Sequence, residues 1–227
     1  MKKFILLLST LGLLLTPAIA NAGNWAMGVT VSSNSLDTAG KEDVDNDGTI
    51  DDTKNVSDDF IVGSIFAEYT NMGDKYGITI GLDYIPFDAD IDKRSIDQSS
   101  IKAKGDGAAT TGTNTVEGTV KDHTTIYIQP GMAVGTNSMF YLTYGLVMAD
   151  VNAKNSSISS TDLNSTKSLD GTKIGFGLKK VSDNGIITKF DVSETEYDSV
   201  SFTTSNNTKA TADLDNTAIS VSIGKQF

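Results

Sequence analysis

Cysteine is absent from the 227 residues. In an exported chain this excludes disulfide staples and thiol chemistry together. Stability must then come from a buried core or from a sheet large enough to have no edges. Histidine occurs once, at His123, and proline three times. Positive charge is scarce: 18 Lys and Arg stand against 29 Asp and Glu, for a net charge of -11. So acidic a chain lacks the electrostatic footprint of a nucleic-acid binder, and no nucleic-acid partner is expected. Beyond residue 22 no apolar run is long enough for a spanning helix. What is plentiful is glycine, at 21 residues, together with Ser, Thr and Asn. With 38% hydrophobic and 21% charged residues the chain is not disordered overall. The composition suggests an all-β protein of one domain with long polar loops.

Met1–Ala22 reads as a cleaved signal peptide. Lys2 and Lys3 supply the positive start, Phe4 to Leu15 the apolar core, and Ala18-Ile19-Ala20-Asn21-Ala22 the A-x-A cleavage pattern. A membrane anchor is disfavoured, because the apolar run is short and Pro17 breaks it. Cleavage is expected after Ala22, leaving residues 23–227 as a barrel domain. Losing Lys2 and Lys3 with the leader takes the charge from -11 to -13.

From Gly23 onward, runs of period two return eight times, and a period of two is the mark of a strand with two different faces. Met27, Val29 and Val31 oppose Gly28, Thr30 and Ser32. Ile61 and Ile65 oppose Ser64, Phe66 and Glu68; Ile78, Ile80 and Leu82 oppose Gly77, Thr79 and Gly81. Ile126, Ile128 and Met132 oppose Tyr127, Gln129 and Gly131; Leu142, Tyr144 and Leu146 oppose Tyr141, Thr143 and Gly145. Ile174, Phe176 and Leu178 oppose Lys173, Gly175, Gly177 and Lys179. Ile186, Phe190 and Val192 oppose Ile187, Lys189 and Asp191. Last, Ile219, Val221, Ile223 and the terminal Phe227 oppose Ala218, Ser220, Ser222 and Gly224. Pro130 argues mildly against a central strand, and a bulge there would absorb it. Glu194 and Glu196 fall on the apolar parity. Either the strand has left the membrane there or a bulge reverses its faces.

Eight is an even number, as single-chain bacterial barrels require. Short connections (Asn71 to Lys75, Gly135 to Ser138, Ser182 to Gly185) alternate strictly with long ones (Asn34 to Asp59, Pro86 to Asp122, Asn152 to Asp170, Ser199 to Asn216). A barrel inserted from the periplasm has tight turns on that side and long loops outside, so both termini are expected in the periplasm. A lipocalin-like soluble carrier would turn the apolar set inward, and alternation alone does not exclude it. Glycines concentrated on the polar face weigh against it, since small residues there suit a narrow barrel interior. Glu68, Asp83, Lys173, Lys179, Lys189 and Asp191 would point into that interior and must pair. They make either a selective polar channel or an ion-pair network that plugs the barrel. The plug is preferred, because eight strands leave room for little more than their own side chains.

A chain with such a leader, eight alternating strands and a final Phe227 resembles the small eight-stranded outer-membrane β-barrel family of the outer membrane protein A, X and opacity type. The resemblance spans nearly the whole chain and is architectural. It implies an all-β, antiparallel, up-and-down transmembrane barrel in the cell outer membrane. It also implies outer-membrane lipid as solvent, recognition by the barrel assembly machinery through Phe227, a monomer, and surface ligands met through the loops. The peptidoglycan-binding domain of the two-domain members is not expected after Phe227.

One loop carries a motif with chemistry. Asp43, Asp45 and Asp47 alternate ahead of Gly48, as in the first half of an EF-hand-type calcium loop, and Asp51 follows as a further oxygen ligand. The twelfth position is Lys54, where a bidentate Glu is usual. Two interpretations therefore stand, a weak extracellular calcium site and a solvated acidic loop. No other cofactor is expected. His123, at a loop–strand junction, is more often a polar rim residue than a catalytic base, so no enzyme and no catalytic residue is expected. The functions carried forward are a structural, surface-interacting barrel displaying four acidic polar loops; a narrow pore for ions or small solutes; and the soluble carrier.

Overall fold

A computed structural model of the chain describes residues 25–43, 46–101, 110–156, 164–203 and 209–227, so the expected leader lies outside the described residues. Ten strands follow one another: β1 (Trp25–Asp43), β2 (Asp52–Met72), β3 (Tyr76–Tyr84), β4 (Ala89–Ile101), β5 (Thr110–Ala133), β6 (Ser138–Ser156), β7 (Asn164–Val181), β8 (Ile186–Tyr197), β9 (Val200–Thr203) and β10 (Lys209–Gln226). Eight of them form a ring in the order β1-β2-β3-β5-β6-β7-β8-β10, and β10 pairs back onto β1. The closing ladder is antiparallel and unbroken from Ala26↔Gln226 to Asp43↔Lys209. β4 adds to β5, and β9 to β10, beyond the ring.

The two faces sort as the alternation requires. Ile80, Leu142, Phe176 and Val221 stand outside, at 41%, 56%, 50% and 60% exposure. Their neighbours of opposite parity, such as Thr79, Tyr141 and Ser222, are buried inside. Aromatic rings gather near the short-turn end: Trp25 packs on Tyr69 with centroids 5.3 Å apart, Phe140 lies 6.4 Å from Phe176, and Tyr76 and Phe227 are exposed beside them. The Phe227 N–H closes on the Trp25 carbonyl at 2.8 Å, which ties the end of the chain to the first strand of the ring.

The short connections are tight turns. Gly73 N–H donates to Tyr76 O at 2.9 Å and Gly185 N–H to Ser182 O at 2.8 Å. Gly135 and Gly185 take positive φ, where a β-carbon would be strained. The long connections differ from the expectation of loops, because most of their residues are strand. β1 and β2 stay paired out to Glu42↔Asp52, and β6 and β7 out to Lys154↔Asn164. The apolar alternation stops at this height, but the backbone ladder does not need it to continue. The extensions keep a few inward apolar residues, Leu36, Val151 and Leu169 among them, which pack together inside the ring.

One local expectation is corrected and one open alternative is removed. The register runs unbroken across Pro130, from Ile128↔Tyr144 to Gly131↔Tyr141, so no bulge absorbs it. The bulge in β5 sits instead between Lys121 and Thr124, where Asp122 takes φ 52°. In β8 no bulge reverses parity. Glu194 and Glu196 stay on the outer, exposed face, opposite Thr217 and Asp215, one step past the last apolar pair Val192↔Ile219.

Beyond that level the inside of the ring becomes apolar. Leu36, Val151, Leu169, Val200, Phe202 and Leu214 form a buried cluster with Phe60 packed against it. At this height the outer face is polar and the apolar side chains are inside, the usual arrangement of a sheet in water.

Placing a charge at mid-height of the outer face tests which side meets hydrocarbon. Phe176→Arg is expected to cost about 2–4 kcal/mol in refolding equilibria into lipid vesicles, as for cations near a bilayer midplane. Ser57→Arg, on the outer face of the β1–β2 extension, is expected to leave that equilibrium unchanged.

Candidate functional site

The ring interior holds a dense polar centre and, above it, a hollow. Glu68 of β2 is the hub of the first, with its side chain 0% exposed. Lys179 Nζ of β7 donates to its Oε1 at 2.7 Å, and Lys189 Nζ of β8 to its Oε2 at 3.0 Å. The Tyr127 hydroxyl of β5 donates to the same Oε2 at 2.9 Å. Lys179 Nζ also donates to Thr70 Oγ1 at 2.8 Å and Thr79 Oγ1 at 3.1 Å. The Tyr141 hydroxyl of β6 donates to Asp191 Oδ1 at 2.5 Å. Six strands thus send side chains to one point. Desolvating three charges is costly, and only this many hydrogen bonds and opposite charges offset it.

Lys189 Nζ lies 5.0 Å from the Phe66 ring centre, 5.2 Å from Tyr127 and 5.7 Å from Tyr141, close enough for cation–π attraction. These rings fit because glycines face them. A β-carbon added at Gly28 would stand 2.6 Å from the Phe66 ring, and one at Gly177 2.6 Å from the Tyr141 hydroxyl. At Gly81 it would overlap the Tyr127 ring. Glycine on the inner face therefore makes room for large side chains that cross the lumen.

Above this plug, toward the long-hairpin end, lies a cavity of about 450 Å³. Lys189, Asp191, Tyr127 and Phe66 line its floor, and His123 and Tyr197 lie nearer its mouth. Ser64 Oγ donates to Asp83 Oδ2 at 2.8 Å in its wall. His123 Nε2 and the Tyr197 hydroxyl are 3.0 Å apart, with the rings edge to face. Four buried polar atoms on this wall have no hydrogen-bond partner: His123 Nδ1, Gln129 Oε1, Ser193 Oγ and Asn216 Oδ1.

The acidic motif sits at the tip of the β1–β2 extension. Asp43 is buried, and its carboxylate accepts the Asp47 N–H at 3.1 Å and the Gly48 N–H at 2.9 Å. Asp47 Oδ1 accepts the Thr49 N–H at 2.8 Å. Gly48 takes φ 94°, the sharp turn expected of it. Asp51 is exposed, and its N–H donates to Glu42 O at 2.8 Å. Burial, then the charges of Asp52 and Asp51, raise the Glu42 carboxyl above its ordinary range. Asp45 lies outside the described residues. Among the described residues no three His, Asp or Glu side chains gather as a metal cluster.

The six interior charges singled out from sequence all point inward, and Glu68, Lys179 and Lys189 are brought together. Sequence reasoning missed Tyr127 and Tyr141 as members of the plug. Their signal was present, as large aromatics on the face otherwise kept small.

No family model and no curated protein matches this sequence. Solved structures do match. The outer membrane protein OprG from Pseudomonas aeruginosa is 16% identical, with a TM-score of 0.54, over 91% of this chain and 96% of that one. The outer membrane protease OmpT from Escherichia coli is 9% identical, with a TM-score of 0.54, over 91% and 98%. Ail, the attachment invasion locus protein of Yersinia pestis, is 14% identical over 87% and 99% at a TM-score of 0.35. At such identities the likeness is one of fold, that of an outer-membrane β-barrel.

Removing the hub strands two buried ammonium groups. Glu68→Ala is expected to lower unfolding stability by about 3–5 kcal/mol, read from the urea midpoint in micelles. Lys41→Ala, at the exposed Lys41–Asp213 pair, is expected to cost less than about 1 kcal/mol.

Proposed function

We propose, from the premise that the chain has the fold of the small eight-stranded outer-membrane β-barrels, that it is an integral outer-membrane protein. In this proposal the barrel is a closed scaffold that presents four acidic, polar hairpins to the outside. One observation carries it: six strands fill the lumen at the level of Glu68, whose side chain is wholly buried. A permanently open pore needs a continuous aqueous path, and a fully desolvated ion-pair hub across the lumen leaves none. The strand extensions support outward display, since they project at one end while the other carries short turns. The outer face supports lipid contact, because a soluble carrier would leave Ile61 at 77% exposure and Val221 at 60% to water.

Orientation follows by analogy with barrels of this build: short turns and both termini in the periplasm, long hairpins outside. A non-catalytic role is supported by the surroundings of His123. Its Nε2 is taken up by the Tyr197 hydroxyl, 3.0 Å away. Surface ligands would meet the Ser-, Thr- and Asp-rich hairpins, and calcium would act at the loop of Asp43, Asp45, Asp47 and Asp51.

The narrow pore is the second interpretation, favoured by the cavity of about 450 Å³ that reaches from the outer end to the plug. It requires the Glu68 hub to open.

Two measurements test the proposal. In planar bilayers the protein is expected to give no steady single-channel current, and sizeable, persistent steps would overturn the closed scaffold. Because the chain has no cysteine, single introduced thiols report topology cleanly. Thr49→Cys is expected to react with a membrane-impermeant maleimide on intact cells, and Asp74→Cys only after the outer membrane is permeabilised. The reverse pattern would invert the orientation.

A further inference from the structure

We infer, on the membrane setting proposed above, that the hollow over the plug opens sideways through a slit between β2 and the β3–β4 link, and that this port takes in a single-chain amphiphile with a zwitterionic head from the surrounding lipid. The lining residues mark the port. β1, β8 and β10 contribute alternate residues only, Thr30, Ser32, Asn34 and Leu36 on β1 for example, because a paired wall shows one face to its lumen. β2 instead contributes an unbroken run, Asp58 to Ser64. Ile61 and Gly63 have the outward parity, so at their height the hollow reaches round the edge of the strand.

The pairing shows why. β2 bonds β3 only as far as Ile65↔Tyr84, while on its other side it stays paired to β1 out to Glu42↔Asp52. Past Tyr84 the chain turns away from β2. Ile85 N–H donates to the His123 carbonyl at 3.0 Å, and β4 takes up β5 from Ala89↔Val120. Among the described residues no strand pairs with β2 on this side from Ile61 to Gly63. A β-carbon added at Gly63 would meet no atom within 4 Å.

The chemistry of the slit selects the guest. The outward apolar run of β2 continues to Ile61, with Asp59 next on that parity, so the slit begins inside the apolar band. Its rims are greasy: Ile61 is 77% exposed on one side and Phe87 72% on the other, and both line the hollow. These rims suit an alkyl chain. Backbone groups along the bare edge still need polar partners, which hydrocarbon does not supply and a head group does. On the floor Lys173 and Lys189 stand with Asp83 and Asp191. Adding the pairs Glu68–Lys179 and Lys121–Asp88 gives four carboxylates facing four ammonium groups. A head carrying both charges matches that balance better than either ion alone. Because the Glu68 hub closes the floor, the guest is held and not passed through.

The test uses the full chain refolded into phosphatidylcholine vesicles, with an alkylphosphocholine carrying a diazirine beside its head group. After illumination, mass spectrometry is expected to find adducts on the outward Val192 and Ile219 and also on the inward Ser32 and Ser220, the inward ones saturating with probe. Gly63→Trp is expected to abolish the inward adducts and keep the outward ones. Gly63→Ala, too small to cover the slit, is expected to keep both. The same probe with a sulfate or an ammonium head is expected to label the inward residues less, and equal labelling overturns the zwitterionic choice. Heat-modifiable gel migration shows that each variant is folded, and the unaltered chain is decisive by itself on whether the probe enters. Adducts on the outward residues alone overturn the port and leave the membrane setting standing. Inward adducts that a folded Gly63→Trp barrel retains overturn it too, since the probe then enters by the barrel mouth. Adducts on neither set overturn the membrane setting, and the port with it.

Discussion

The ladder between β1 and β10 is the constraint on which the rest of this structure depends. In hydrocarbon an unpaired N–H or C=O has no water to turn to, so a spanning sheet must have no edge. Eighteen consecutive residue pairs, from Ala26↔Gln226 to Asp43↔Lys209, remove the edge that an open eight-stranded sheet would expose. Phe227 lies at the seam, its N–H bonded to the Trp25 carbonyl. Closure also fixes the radius of the ring, and that radius decides what the interior can hold.

Inside so narrow a ring, side-chain volume has to be distributed. At the short-turn half, large side chains reach across the lumen, and glycines on facing strands make way for them, as Gly28 does for Phe66 and Gly177 for Tyr141. Buried charge is tolerated there only because Glu68 satisfies two lysines and a tyrosine at once. Toward the other half the side chains are shorter, Thr30, Ser32, Ser220 and Ser222 among them, and a cavity opens. Plug and hollow are one consequence of where the bulk was placed.

The same strands obey opposite rules at different heights. On β1, Val29 and Val31 face out, while Leu36, of the opposite parity, faces in and is buried. On β10, Val221 faces out and Leu214 faces in. No bulge separates them in the β1–β10 ladder, so the backbone does not change; the surrounding solvent does. In the proposed membrane setting, hydrocarbon draws the greasy residues outward, and beyond it water turns them inward into the Leu36–Leu169–Leu214 cluster. Glu194 and Glu196 mark the boundary on β8, still on the outward parity but one step beyond the last apolar pair.

The alternation of side chains determined a great deal unaided. Period two fixes strands whatever the surroundings, and eight such runs with alternating short and long connections determined the count, the antiparallel order and the inward set that contains Glu68, Lys179 and Lys189. Sequence was silent where the inward apolar residues thin out to isolated ones such as Leu36, Leu169 and Leu214 among polar neighbours, too sparse a contrast to mark a period of two. The extensions of β1, β2, β6 and β7, and the added β4 and β9, were therefore legible only as polar loops. The tertiary structure alone decided which charges meet. Glu68 and Lys189 are 121 residues apart in the chain, and only ring closure and register bring them within 3.0 Å. It alone decided, too, that the lumen divides into a plug and a cavity, because that depends on the heights at which eight strands place their largest and smallest side chains, a relation no single strand encodes.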